Sequence, residues 1–103
     1  MKVEGCITPV VTPFDSKEEV DEEALKGIVD YLLDGGANGL FAAGTAGAFY
    51  LMAPEERKRV IEVVVQTSGG RIPVYAGTGG ITVRENLDIA NHAKNVGADA
   101  VVI

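Results

Sequence analysis

Gly44-Thr45-Ala46-Gly47 is the stretch best equipped for chemistry: two glycines bracket a hydroxyl and a small residue directly after an apolar run. Glycine permits tight turns and close approach of a ligand to the backbone. Backbone N–H groups in such a turn can converge on an anion such as a carboxylate, and the Thr45 hydroxyl can both donate and accept. The spacing by itself fits a plain connection of small residues equally well. Thr8, Pro9, Thr12, Pro13 and Phe14 surround another apolar run. Their prolines stiffen the chain and remove donors, giving either a rigid strand exit or a pocket floor lined by Thr8.

Other chemistry-bearing residues exclude more than they support. Gly77-Thr78-Gly79-Gly80 tempts toward nucleotide phosphates, but G-x-G-x-x-G would require Gly where Thr82 stands. A P-loop would require Lys followed by Ser or Thr where Ile81 stands. Cys6 reads as a small core residue with no basic neighbour to make it a nucleophile. His92, the single histidine, reads as a solvated helix residue with no metal-ligand spacing around it. Lys2, Lys17, Lys26, Lys58 and Lys94 fall at the terminus, in a loop or on polar helix faces. None sits on a strand, where burial would depress an ammonium pKa. Glu55-Glu56-Arg57-Lys58-Arg59 reads as a solvated helix face laced by i,i+3 and i,i+4 pairs.

The elements that must position these residues follow from periodicity. Cys6–Val11, Gly39–Ala43, Ile72–Ala76 and Asp99–Ile103 are short apolar runs without polar alternation, the pattern of strands buried on both faces. Between them lie three amphipathic stretches. Leu25, Ile28, Val29, Leu32 and Leu33 share one helical face. Asp21 stands as N-cap, Glu22-Glu23 fill the first turn, and Gly35-Gly36 stops the helix. The second helix is expected from Pro54 to about Thr67, with Val60, Ile61 and Val64 as its stripe and Gly69-Gly70 as its stop. The third starts at Thr82 with Glu85 three residues on, a capping box. Val83, Leu87, Ala90 and Ala93 form its stripe, and Gly97 ends it. Alternation at about 30 residues per unit means parallel strands joined by right-handed crossovers.

The fold class is therefore α/β, built of parallel βα units, with two possible parents: an open doubly wound sheet or a section of a TIM (β/α)8 barrel. The last residues, Val101-Val102-Ile103, lie inside a strand, and a full barrel needs about 250 residues. The expectation is one domain over residues 1–103, the N-terminal half of a single barrel, incomplete at its C-terminus.

Composition agrees with a globular domain. The chain has 103 residues, 47% hydrophobic and 23% charged, which argues against disorder. Fifteen Asp+Glu against nine Lys+Arg, a net charge of -6, argues against nucleic acid or an anionic membrane surface as partner. One Cys leaves no internal disulfide framework. No apolar run approaches the roughly 20 residues that span a bilayer. Met1-Lys2-Val3-Glu4-Gly5 lacks a signal-peptide layout, so a cytoplasmic protein is expected.

Thr12-Pro13-Phe14, Asp21, Leu25, Gly39-Leu40, Gly44-Thr45-Ala46-Gly47, Pro54-Glu55-Glu56-Arg57, Gly70-Arg71-Ile72-Pro73-Val74, Ala76-Gly77, Thr82 and Gly97-Ala98-Asp99-Ala100 form an ordered set covering essentially the whole chain. Together they resemble the N-terminal portion of the dihydrodipicolinate synthase / N-acetylneuraminate lyase family. The resemblance implies a barrel, usually tetrameric, that acts as a class I pyruvate-dependent lyase or aldolase without metal or organic cofactor. Pyruvate forms a Schiff base with a barrel lysine, and the enamine adds to, or is released from, an aldehyde. That aldehyde could be aspartate semialdehyde, an N-acetylated sugar or a sugar-acid aldehyde. By the same resemblance Thr45 matches the first hydroxyl of the family's G-T/S-T-G turn, which hydrogen-bonds a relay tyrosine. Ala46 matches the second position, and the N–H groups of Thr45 and Ala46, flanked by Gly44 and Gly47, hold the pyruvate carboxylate. Thr8 lines the pocket.

This chain departs from the pattern in three ways. Ala46 lacks the second hydroxyl, and Ala48 stands where the family usually has Glu. The lysine and tyrosine belong to a part of the barrel beyond Ile103. Without the lysine amine there is no covalent electron sink, so these residues alone are expected to be inactive. The alternative role is that of a non-catalytic half-barrel whose open sheet edges drive self-association.

Overall fold

The computed structural model describes residues 4–80 and 82–103; Met1, Lys2, Val3 and Ile81, invoked above, lie outside the described residues. The order of elements is β1 (Ile7–Pro9), α1 (Glu22–Asp34), β2 (Gly39–Ala42), a 3-10 turn (Phe49–Leu51), α2 (Pro54–Ser68), β3 (Val74–Gly77), α3 (Val83–Val96) and β4 (Ala100–Val102). All strand pairs are parallel and the sheet order is β1-β2-β3-β4. This order separates the two candidate parents. A doubly wound sheet reverses direction at a switch point, whereas sequential neighbours are the arrangement of a barrel.

The helices begin and end for local reasons. The Asp21 carboxylate accepts from the Ala24 N–H at 3.0 Å, satisfying one orphan donor of α1. Pro54 stands at the start of α2, where its missing N–H costs nothing, and Glu56 Oε1 accepts from Ala53 N at 2.9 Å. Thr82 Oγ1 accepts from Glu85 N at 3.1 Å. The reciprocal half of that expected capping box does not form, because the Glu85 carboxylate is drawn to Arg57. Gly97, at φ 101°, closes α3 in the left-handed region that favours glycine.

The strands are shorter than the apolar runs. Cys6, Val11 and Ile72 fall outside them, and β3 extends instead to Gly77. Pro73 has no N–H to give the ladder, and Val74 N donates to Asp99 Oδ2 at 2.8 Å, ahead of the strand pairing.

Alternation along the strands divides the sheet into two faces. Leu40, Ala42, Val74 and Ala76 are at most 1% exposed, packed in one core with Leu25 and Val29 of α1, Val60, Ile61, Val63 and Val64 of α2, and Ile89 and Ala93 of α3. Each large aliphatic side chain of this kind contributes roughly 1.5–3 kcal/mol relative to exposure. The other face carries Ile7, Gly39, Phe41 and Tyr75: a Cβ at Gly39 would lie 3.3 Å from both the Ile7 and the Tyr75 side chains. Among the described residues no helix is long and apolar enough to cross a membrane.

Candidate functional site

The Gly44–Gly47 turn lies at the C-terminal end of β2, the rim where barrels carry their chemistry. Its local geometry is tight. Ala43 and Ala48, on either side, both take φ 57°, which costs a non-glycine residue about 1–2 kcal/mol. Such strain persists only where the surroundings over-determine it. Within the turn, Ala48 N donates to Thr45 O at 3.0 Å and Phe49 N donates to Gly44 O at 3.3 Å. Gly44 and Gly47 are buried, while Thr45 and Ala46 are exposed. A Cβ on Gly47 would stand 3.0 Å from Val10 O and 3.3 Å from Thr12 Oγ1. The turn is thus seated on the exit of β1, and a side chain at Gly47 would press on that backbone.

The donors are what the turn offers. Among the described residues, none accepts a hydrogen bond from the N–H groups of Thr45 or Ala46. The Thr45 hydroxyl likewise has no partner among them. Thr12, beneath the turn, is 9% exposed, and its buried Oγ1 has no partner either.

Gly44 and Thr45 line a cavity of about 340 Å³ together with Phe41, Ala43, Phe49, Gly77, Gly79, Val102 of β4 and Ile103. Phe41, Gly77 and Val102 come from the sheet face opposite the helices, so the cavity opens where the interior of a ring of strands would be. A larger cavity, about 550 Å³, lies at the other rim. It is lined by Cys6, Thr8, Tyr31, Leu32 and residues 34–37. It holds none of the turn's donors, and the smaller cavity is the better candidate for chemistry.

The structure does not bring Thr8 to the turn. Thr8 pairs in register with Leu40, so its side chain shares the helix-covered face with Leu40. Its Oγ1 lies 3.7 Å from Cys6 Sγ, in the cavity at the opposite rim. The β1 residue that shares the row of Phe41 is Pro9. A one-residue difference in strand phase inverts the face, and three residues of β1 give too short an alternation to set that phase. Cys6 also differs from expectation: it is exposed, because β1 starts after it. His92 is half-buried, not solvated, with Nε2 3.6 Å from Glu62 Oε1.

Gly77-Thr78-Gly79-Gly80 serves the sheet. Thr78 is 1% exposed, and its N–H donates to Val102 O at 2.9 Å. Gly77 allows the closest backbone approach near the site: a Cβ there would fall 2.4 Å from Ala43 O.

Sequence reasoning missed Arg57. It belongs to no solvated face; it is 2% exposed. Its Nη1 is 3.2 Å from Glu85 Oε1, its Nη2 donates to Gly77 O at 3.3 Å, and its Cζ stands 5.0 Å from the Phe49 ring centroid. Burial pushes the guanidinium below its ordinary pKa, and the charge of Glu85 opposes that. The signal was available: Arg57 precedes Val60, Ile61 and Val64 by three, four and seven residues, on the same stripe.

Comparison with known proteins agrees with this architecture. Over 101 residues the chain is 41% identical to the 4-hydroxy-tetrahydrodipicolinate synthase of Brucella abortus, covering 98% of this chain and 34% of that protein. It is 42% identical over 99 residues to an uncharacterized DapA-like lyase of Halobacterium salinarum, covering 96% and 33%. The crystal structure of dihydrodipicolinate synthase from Aquifex aeolicus superposes with a TM-score of 0.91 at 39% identity, over 96% of this chain and 33% of that one. A structure of YagE, a prophage protein of the dihydrodipicolinic acid synthase family from E. coli K12 in complex with pyruvate, superposes with a TM-score of 0.91 at 35% identity, over 94% and 33%. The chain thus spans about a third of the length of these relatives and corresponds to the N-terminal part of a (β/α)8 barrel. The dihydrodipicolinate synthetase family model matches residues 2–103, and the chain belongs to that family.

Proposed function

We propose that these residues form the carboxylate-binding portion of a pyruvate-dependent class I lyase or aldolase. The observation that carries this reading is the pair of N–H groups on Thr45 and Ala46, unpartnered among the described residues and presented at the C-terminal rim of the strands. Two adjacent donors suit a planar carboxylate, and charge-assisted hydrogen bonds of this kind are about twice as strong as neutral ones. In this reading the Thr45 hydroxyl is the catalytic group of this chain and hydrogen-bonds a relay tyrosine supplied from elsewhere in the barrel.

In this reading a lysine amine attacks C2 of pyruvate, and water leaves to give an iminium. Loss of a C3 proton gives the enamine, whose C3 then forms the new bond to the aldehyde carbonyl carbon. Lys17, Lys26, Lys58 and Lys94 lie in a loop or on helices, and Lys58 Nζ is held 2.7 Å from Asp88. None of these suits that amine, which the family places in a later strand. The turn's part is orientation, which accelerates the reaction only when the nucleophile is present. The aldehyde is aspartate semialdehyde, an N-acetylated sugar or a sugar-acid aldehyde, and the working enzyme is a homo-oligomer.

Two measurements test the reading. In a 15N-labelled chain, pyruvate should move the amide resonances of Thr45 and Ala46 ahead of all others; unmoved resonances at tens of millimolar pyruvate would overturn it. Borohydride with pyruvate should leave the 103-residue chain unlabelled and should label a polypeptide carrying the remaining strands. A labelled lysine in the 103-residue chain would refute the assignment of the amine.

A further inference from the structure

We infer that Arg57 is a positioning residue for the Gly44–Gly47 turn, one buried guanidinium holding the chain at both ends of it. At the entering end, Arg57 Nη2 donates to Gly77 O at 3.3 Å. The Gly77 backbone is pressed against Ala43, the residue that leads into the turn, closely enough that a Cβ would fall 2.4 Å from Ala43 O. At the leaving end, the guanidinium lies over the Phe49 ring at 5.0 Å, and Phe49 N closes the turn on Gly44 O at 3.3 Å. Of the two alanines with φ 57°, Ala43 is the residue held at the entering anchor and Ala48 directly precedes Phe49 at the leaving one.

Arg57 is itself held, at its backbone and at its side chain. Arg57 N donates to Ala53 O at 3.1 Å in the first turn of α2, and Glu85 supplies the counter-charge from the first turn of α3. An isolated buried charge is costly unless paired and hydrogen-bonded, and Arg57 Nε is buried without a partner among the described residues. The arrangement is therefore poorly explained as a plain stabilising salt bridge, since an apolar side chain of similar size would serve stability as well. What an apolar residue could not do is bond the Gly77 carbonyl and face the Phe49 ring at once.

The inference rests on the carboxylate-seat reading only for its ligand arm, and hydrogen exchange separates the two. The 103-residue chain, Arg57→Leu, Arg57→Lys and Glu85→Gln are compared by exchange mass spectrometry at one protein concentration. In Arg57→Leu, the segment 43–52 should exchange about tenfold faster than in the parent, with the α1 segment unchanged. Arg57→Lys keeps the charge but loses the planar fork, and should fall between the two. Glu85→Gln keeps the shape and covers the case in which Arg57→Leu fails to fold; it should loosen 43–52 in the same selective way. Equal acceleration of every segment, or an unchanged 43–52 segment, overturns the positioning role. Pyruvate should protect 43–52 in the parent and fail to do so in Arg57→Leu. A parent that pyruvate does not protect refutes the carboxylate seat and leaves the ligand-free comparison to decide Arg57.

Discussion

Gly77→Ala is the most demanding substitution near the site. The added methyl would sit 2.4 Å from Ala43 O and 2.9 Å from Ala43 C, both backbone atoms, where ordinary contact begins at 3.4 Å. No side chain can rotate away, so β3 or the residue leading into the turn must move by about 1 Å, an overpacking that costs about 1–3 kcal/mol. Loss of a glycine from the unfolded chain offsets about 0.4–1 kcal/mol of that. A net loss of about 1–2 kcal/mol should lower the melting temperature by roughly 4–8 °C per kcal/mol in a domain of this size. Circular dichroism melts at a fixed protein concentration measure it. Gly27→Ala is the control: Gly27 is exposed within α1, and beyond its chain neighbours and the helix's own backbone no described residue lies within 4 Å of where its methyl would stand. That change should stabilise by about 0.5–1 kcal/mol. If Gly77→Ala matched or exceeded the parent in stability, the close packing of Gly77 on Ala43, and the coupling of β3 to the turn built on it, would be refuted.

Four further outcomes are expected. Ala46→Thr restores a hydroxyl beside the carboxylate seat and should tighten pyruvate about 2- to 10-fold by resonance titration, the worth of one net hydrogen bond. Asp21→Ala removes the α1 cap and should cost about 1 kcal/mol in urea unfolding. The Arg59 guanidinium bonds Glu22 at 2.7 and 2.8 Å and holds its carboxyl below the ordinary value. That contribution is present above the unfolded pKa of about 4.3 and is lost as pH falls through the lower native value. Glu22→Gln should therefore flatten the acid limb of stability against pH, by less than about 1 kcal/mol because the pair is exposed. The 103-residue chain, with Val101 and Val102 of the edge strand β4 and the adjoining Ile103 exposed by 44%, 38% and 92%, should self-associate; a monomer by sedimentation at micromolar concentration counts against that.

Much of this was legible in the amino-acid order because it is local. Caps at Asp21 and Thr82, Pro54 at a helix start and the glycine stops each depend on neighbours within a turn or two, so the bounds of α1, α2 and α3 were placed nearly to the residue; the expected face of α3 was not, since Ile89 and Ala93 enter the core while Val83 and Leu87 stay 74% and 58% exposed. The turn between Gly44 and Gly47 was legible for the same reason, its glycines marking where backbone must bend. Sequential strand order, by contrast, had to be seen, since alternating βα units suit a barrel and a doubly wound sheet equally. The side on which Thr8 falls was also out of reach: facing depends on register with β2, a contact between residues more than thirty apart. Arg57 shows the same division most clearly. Its charge and its place among Glu55, Glu56, Lys58 and Arg59 describe a solvated face, and only the approach of Glu85, Gly77 and Phe49 from three other segments supplies the counter-charge, the acceptor and the ring that let that guanidinium leave water.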